Sequence, residues 1–252
     1  MTEDGHAAAV GLESPPGEAE RRAAAQRIVA CCHLLAREGL VAGFGHVSER
    51  AGKDSFFISG KVPLGTISVE EVALVSGAKP EDSRAHIVPF EMVLHAAVYR
   101  ARPEVGAIAR THGEFGSVLS LLADPVRPVH AFGATLGPQV PVYDTCELIE
   151  DDAQGARLVA ALGDATAVLM RGNGQVVCGA DLAEACVLAC YLEESARLQH
   201  RARSVDSADR LRYLTAEETS AAAANLGSRP QIRRAFQALC DRHGVSFPGG
   251  AS

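Results

Sequence analysis

Apolar residues first recur at helical spacing in EAERRAAAQRIVACCHLLAREG, residues 18–39. Ile28, Cys31, Leu34 and Leu35 share one face there, and Gly39 supplies a stop. That spacing predicts a long helix after Pro15 and Pro16, with residues 1–17 as a flexible tail. SFFIS at 55–59 and VALV at 72–75 read as strands, and Ser68 with Glu71 makes a capping box between them. Residues 90–101 carry a helical pattern that the Arg102-Pro103 step ends. VGAIART, 105–111, is a continuous apolar strand with His112 at its end, and a helix over about 114–122 follows. VHAFGATLGPQVPVYD, 129–144, is rich in glycine and proline and reads as short strands and turns. Residues 152–162 are helical. AVLM and QVVCG, joined by RGNG at 171–174, form a hairpin. A long helix capped by Asp181 spans 181–203, and two further helical patterns begin near Thr215 and Pro230. The economical arrangement is one α/β domain over 18–245, with helices on both faces of a mostly antiparallel sheet and a frayed end at 246–252.

Composition narrows the class. The chain is 47% hydrophobic and 22% charged, as compact globular proteins are, and its net charge is −7. It holds no dense run of Lys and Arg, which disfavours nucleic acid as a partner. The cluster RLQHRAR at 197–203 reads as a solvated helix face. No apolar stretch reaches the length of a membrane span, and the acidic N-terminus does not resemble a secretion signal. The seven cysteines form no C-x2-C pair. They read as reduced thiols packed as small hydrophobes in a cytoplasmic protein.

Three motifs carry chemistry: PFEMVLH at 89–95, with Glu91 and His95 four apart on one helix face; RTHG at 110–113; and RGNG at 171–174. Their order resembles the class II aldolase/adducin family, in which a Glu, a His-x-His pair and a distant His in an N-H-G turn bind a divalent metal. Arg110 stands where the first His of the pair would be, and Asn173 where the distant His would be. Further pieces match in order: GHVS at 45–48, RPEV at 102–105, LMRGNG at 169–174, ADLAEA at 180–185 and LTAEE at 214–218. The resemblance covers roughly residues 20–225. It implies a class II aldolase-like three-layer α/β/α fold with a mostly antiparallel central sheet. It also implies a small-molecule substrate and a homotetramer with sites between subunits.

Within that family, sugar-phosphate aldolases cradle a phosphate with G-N-x-S, a Thr/Ser-Gly turn and a Ser-Ser-Glu run. The stretches here are Gly45-His46-Val47-Ser48, Ser59-Gly60-Lys61 and Pro89-Phe90-Glu91. The lost hydroxyls argue against a phosphosugar. EGLVAGFGHVSER instead resembles the subgroup that decarboxylates hydroxylated aromatic or pyridine carboxylic acids.

Aldol cleavage and such decarboxylation both leave an electron pair on the substrate, and a metal Lewis acid stabilises it. A divalent Mn, Fe, Co or Zn would have Glu91 and His112 left as ligands, since Arg110 stays protonated and Asn173 offers only an amide oxygen. Alternatively, the Arg110 guanidinium holds a carboxylate or enolate by two parallel hydrogen bonds. The expected function is carbon–carbon lysis of a hydroxylated carboxylic acid, with decarboxylation ahead of retro-aldol cleavage. Glu91, Arg110 and His112 are the catalytic candidates; His46, Ser48, Ser59, Gly60, Asn173 and Tyr143 are the candidate substrate contacts. Two alternatives stay open: other chemistry on the same frame, such as iron-dependent oxygenation or isomerisation, and a non-catalytic adducin-like scaffold. Structural readings stand beside the functional ones. Glu91 could pair with Arg110, His95 could be a satisfied core histidine, and His46 could tie a turn. Arg171 could form an ion pair, Asn173-Gly174 could be only a hairpin turn, and Phe132 and Cys178 could be core.

Overall fold

The computed structural model describes residues 16–77, 79–80, 84–122, 125–205 and 210–249. Most of the expected tail, residues 1–15, and the last three residues of the chain lie outside these. Helix α1, Glu18–Arg37, buries Ile28, Cys31, Leu34 and Leu35, and Gly39 follows at φ 75°, as the sequence predicted. Strands β1 (His46–Arg50), β2 (Ser55–Ser59), β3 (Val72–Ser76) and β4 (Lys79–Pro80) come next. The capping box at Ser68 and Glu71 opens a single 3₁₀ turn before β3. Then follow α2 (Met92–Ala101), β5 (Ala107–Thr111), α3 (Glu114–Ser120), β6 (Val142–Tyr143), α4 (Asp152–Leu162), β7 (Ala167–Met170) and β8 (Gln175–Gly179). Three helices close the chain: α5 (Leu182–Val205), α6 (Ala216–Leu226) and α7 (Arg229–His243). The Gly- and Pro-rich stretch yields β6 and also a 3₁₀ segment, Phe132–Leu136, where only turns and strands were expected. Phe132 is a surface residue, 41% exposed, rather than core.

The eight strands form one sheet in the order β4-β3-β2-β1-β5-β8-β7-β6, in which only β6 and β7 run parallel. Strand residues alternate between two apolar clusters, as the period of two requires. Val47, Phe57, Leu74, Ala109 and Val177 join α1, α5 and α7 in one cluster. Phe56, Ile58, Val75, Ile108, Val176 and Cys178 join α2 and α4 in the other. Strand β1 lies between β2 and β5 and sets His46 across from Arg110 in register. The β7–β8 hairpin sets its RGNG turn at the same end of β5. No helix among the described residues is long and apolar enough to cross a membrane.

Candidate active site

Four chain segments meet at the end of β5. Glu91 is the cap residue of α2, and His95 and Tyr99 follow on the same helix face. His46 and Ser48 alternate on β1, so they face the same side of the sheet. Arg110 is the penultimate residue of β5, and His112 directly follows the strand. Asn173 comes from the β7–β8 turn. Two glycines make the close approach possible. Gly45, at φ 125°, lies against the Arg110 carbonyl and Val41. Gly174, at φ 78°, lies against the Thr111 carbonyl, the Arg110 guanidinium and the His112 ring, so a Cβ at either position would collide.

The His112 segment is tied down on every side. Its backbone N–H donates to the Leu40 carbonyl at 2.7 Å. The Gln175 amide accepts from the Thr111 hydroxyl and the Gly113 N–H, both at 3.0 Å, and donates to the Gly113 carbonyl at 2.9 Å. Glu193 accepts from the Phe115 and Gly116 N–H groups at 2.8 and 3.0 Å, serving the first turn of α3.

The central group is Arg110, which is fully buried. Its Nη1 donates to the Thr111 carbonyl at 2.9 Å, and its Nη2 lies 3.7 Å from Glu91 Oε1. Neither Nε nor Nη2 has a hydrogen-bond partner, and neither do Glu91 Oε1, His112 Nδ1 and Asn173 Nδ2, all buried. Burial lowers the Arg110 pKa, which Glu91 opposes; starting from above twelve, the guanidinium keeps its charge. Burial also acts to raise the Glu91 pKa. The His46 hydrogen bond and the charge of Arg110 outweigh it and hold this carboxyl at about 2. His112 is lowered to about 4, by burial first and the Arg110 cation second, so its imidazole is neutral near pH 7.

Behind Glu91 runs a buried line of polar groups. Glu91 Oε2 accepts from His46 Nε2 at 3.4 Å. His46 Nδ1 meets His95 Nε2 at 2.6 Å, His95 Nδ1 meets Ser48 Oγ at 2.6 Å, and Ser48 Oγ meets the Tyr99 hydroxyl at 2.8 Å. Burial lowers the pKa of both imidazoles, His95 well below its ordinary value, so both are neutral.

The arrangement joins Glu91, Arg110, His112, His46 and the Asn173 turn, all singled out in the sequence. Other candidates serve elsewhere. Ser48 is fully buried between His95 and Tyr99, and so cannot reach a substrate in this conformation. Ser59, also fully buried, accepts from the Val47 N–H at 2.9 Å. The Gly60 N–H is spent on the Glu71 carbonyl at 2.7 Å. The Tyr143 hydroxyl donates to Glu147 at 3.1 Å, on a carboxylate that Arg157 shares at 2.7 Å, so it is not aimed at the cluster as a proton donor. Arg171 pairs with Asp144 at 2.6 Å, as its structural reading held. Tyr99 was missed, although Glu91, His95 and Tyr99 recur every fourth residue and that spacing is a visible signal.

A divalent metal fits these residues poorly. Arg110 is a cation that cannot ligate, and it already faces the carboxylate a metal would need. Among the described residues no three His, Cys, Asp or Glu side chains are grouped to hold an ion. A cleft of about 770 Å³, lined by residues that include Glu38, Phe115, Tyr191 and Arg197, contains none of the cluster. The unpartnered buried groups are the stronger pointer to a ligand, because each costs free energy until something pairs with it.

Comparison with known proteins agrees with the fold and the motif order. Residues 26–200 match the family model described as the Class II Aldolase and Adducin N-terminal domain. A 3,4-dihydroxyphthalate decarboxylase of Terrabacter sp. (strain DBF63) is 33% identical over 191 residues, covering 70% of this chain and 80% of that protein. An L-fuculose phosphate aldolase of Escherichia coli O6:H1 is 27% identical over 187 residues, covering 71% of this chain and 83% of that protein. Among solved structures, an aldolase II superfamily protein from Pseudomonas syringae superposes with a TM-score of 0.78 over 94% of this chain and 97% of that one. At 21% identity it speaks for the fold alone. With the family model matching well over half its length, this chain belongs to the class II aldolase and adducin family.

Proposed function

We propose that this protein is a carbon–carbon lyase that decarboxylates a hydroxylated aromatic carboxylic acid, and that the Arg110 guanidinium does the work a metal does elsewhere in the family. Relatives of both kinds, the dihydroxyphthalate decarboxylases and the fuculose phosphate aldolases, are carbon–carbon lyases, which supports lyase chemistry in this chain. The observation that carries the finer reading is the pair of unpartnered donors, Nε and Nη2 of buried Arg110, beside the unpartnered Oε1 of Glu91. This is a fixed cation with two open hydrogen-bond positions next to a base.

In this reading the bound substrate draws Arg110 onto its own oxygen, which relieves the cation's hold on Glu91 and lets burial raise that carboxyl. The substrate hydroxyl then gives its proton to Glu91 Oε1, and Arg110 holds the oxyanion that results. The oxyanion pushes charge onto the ring carbon bearing the carboxylate, and that carbon takes the proton back from Glu91. The carbon–carbon bond then breaks, carbon dioxide leaves, and the bonding pair restores the ring. A solvent proton finally restores the hydroxyl. Neutral His112, through Nδ1, and Asn173, through Nδ2, orient the substrate carboxylate or a second oxygen. Open donors on a guanidinium that is ion-paired to Glu91 but not hydrogen-bonded at Nε and Nη2 also disfavour a scaffold, in which buried donors gain nothing by staying open. We read the two core clusters as the two sides of a three-layer α/β/α frame. We read exposed Phe44 and Phe90, which flank His46 and Glu91, as surface that further copies of the chain cover in a homotetramer.

The test is carbon dioxide release from a panel of hydroxylated benzoates and phthalates that includes 3,4-dihydroxyphthalate, with L-fuculose phosphate as the aldol control. Release from one or more acids in the presence of a chelator is the expected result. Cleavage of the sugar phosphate with no release from any acid would replace decarboxylation by aldol chemistry.

A further inference from the structure

The polar line behind Glu91 is more than core packing. A carboxylate can only accept, so with Glu91 ionised His46 must present N–H at Nε2. Its Nδ1 is then an acceptor, and the 2.6 Å contact requires His95 to donate from Nε2. His95 Nδ1 must in turn accept from the Ser48 hydroxyl, and Ser48 Oγ accepts from the Tyr99 hydroxyl. Every hydrogen bond points the same way, from Tyr99 toward Glu91. The far end is itself anchored. The Arg50 guanidinium lies 4.6 Å over the Tyr99 ring and donates to the Tyr99, Arg102 and Val105 carbonyls at 2.9, 2.9 and 2.7 Å.

We infer that Ser48, His95 and Tyr99 are positioning residues, which hold His46 as the Nε2–H tautomer so that Glu91 Oε2 is permanently engaged and Oε1 alone exchanges the substrate proton. This rests on Glu91 being the base of the reaction. The reason such a line has value lies in the ring itself. An imidazole buried between two partners can carry its proton on either nitrogen, and the wrong choice would set a lone pair against the carboxylate. Donors fixed from behind remove that choice. The orphaned state of Oε1, beside Arg110 Nη2, follows directly: one carboxylate oxygen is tied off and the other faces the guanidinium where substrate must sit. The line also separates roles that the motif alone merges, because His95 and Ser48 act through His46 and touch no substrate.

The test uses the full chain labelled with ¹⁵N-histidine, with His46→Gln and His95→Gln to assign the two rings. The ring-nitrogen shifts of the wild type are expected to report Nε2–H tautomers for both. A scalar coupling across the His46 Nδ1 to His95 Nε2 hydrogen bond is also expected. In Ser48→Ala the coupling is expected to weaken and His46 to become a mixture of tautomers. Tyr99→Phe, which keeps the buried ring, is expected to give a smaller shift in the same direction. With 3,4-dihydroxyphthalate as probe, Ser48→Ala is expected to lower kcat about tenfold at unchanged KM, a fraction of the roughly 100-fold a positioned acid–base group contributes. A wild type carrying His46 as Nδ1–H, or a Ser48→Ala protein whose His46 keeps the wild-type tautomer, would overturn the inference. The tautomer readings need no turnover, so a failure of the decarboxylase reading shows itself separately, as absent carbon dioxide release with the ring pattern intact.

Discussion

Two halves of one buried cluster keep opposite accounts of their hydrogen bonds. From Tyr99 through Ser48 and His95 to His46, every side-chain donor has an acceptor, at 2.6–2.8 Å within the line and at 3.4 Å from His46 Nε2 to Glu91 Oε2. One residue further on, Glu91 Oε1, Arg110 Nε and Nη2, His112 Nδ1 and Asn173 Nδ2 have none. The two halves adjoin through the His46–Glu91 contact, so the contrast is one of purpose. A satisfied network rigidifies its members, whereas an unsatisfied buried group costs roughly 1–3 kcal/mol until a partner arrives. The satisfied half is therefore scaffold for the unsatisfied half, and the open groups outline the ligand.

The contrast can be broken or sharpened at graded cost. The largest effect is expected from Glu91→Gln, which removes the base. Carbon dioxide release should fall by about 10²–10⁴-fold, measured on protein whose circular dichroism is unchanged. Arg110→Met comes next. It removes the fixed cation, and turnover should drop by about 10²–10³-fold. It also breaks a buried ion pair, so the thermal midpoint should fall as well. Asn173→Ala deletes one open donor while the hairpin keeps its Asn173 N–H to Met170 carbonyl bond. About a tenfold loss in kcat/KM is expected, with stability altered by less than about 0.5 kcal/mol.

Acid stability is a milder probe. His112 folds with its pKa lowered to about 4 from 6.5, so the unfolded chain binds its proton first and stability declines as pH falls from 6.5 to 4. Glu91, lowered to about 2 from 4.5, contributes stability that is whole above 4.5 and is lost between 4.5 and 2. Each slope is at most about 1.4 kcal/mol per pH unit. In urea melts across this range, His112→Gln should make the upper segment shallower, leaving the share that the buried His46 and His95 rings contribute. The smallest effect is expected from Tyr143→Phe, whose hydroxyl serves Glu147: turnover should stay within about twofold of wild type.

Much of this architecture was legible in the residues, and where it was not the cause is physical. Strands β2, β3, β5, β7 and β8 are near-continuous apolar runs because they are buried on both faces, and the helices carry caps and periodic faces. Strand β1 was hidden. His46, Ser48 and Arg50 put polar atoms on the side where a strand of this sheet would ordinarily show Val or Ile. Those residues break the local pattern because they build the site, which is where such conflicts are expected. The motifs put Ser48 and Ser59 among the candidate substrate contacts, and only the packing shows that both are fully buried, because exposure cannot be read from a motif. The tautomer line needed a helix face with a period of four to meet a strand face with a period of two. Only the three-dimensional packing makes that meeting explicit.

The central claim is that Arg110, rather than a metal, receives the substrate's negative charge. The most direct measurement is calorimetric titration of 3,4-dihydroxyphthalate into chelator-treated wild type and Arg110→Met. Binding by the chelated wild type, weakened at least about tenfold in the variant as loss of a charge-assisted pair requires, is the expected result. Binding that appears only when Mn or Zn is added back, and is indifferent to Arg110→Met, would contradict it.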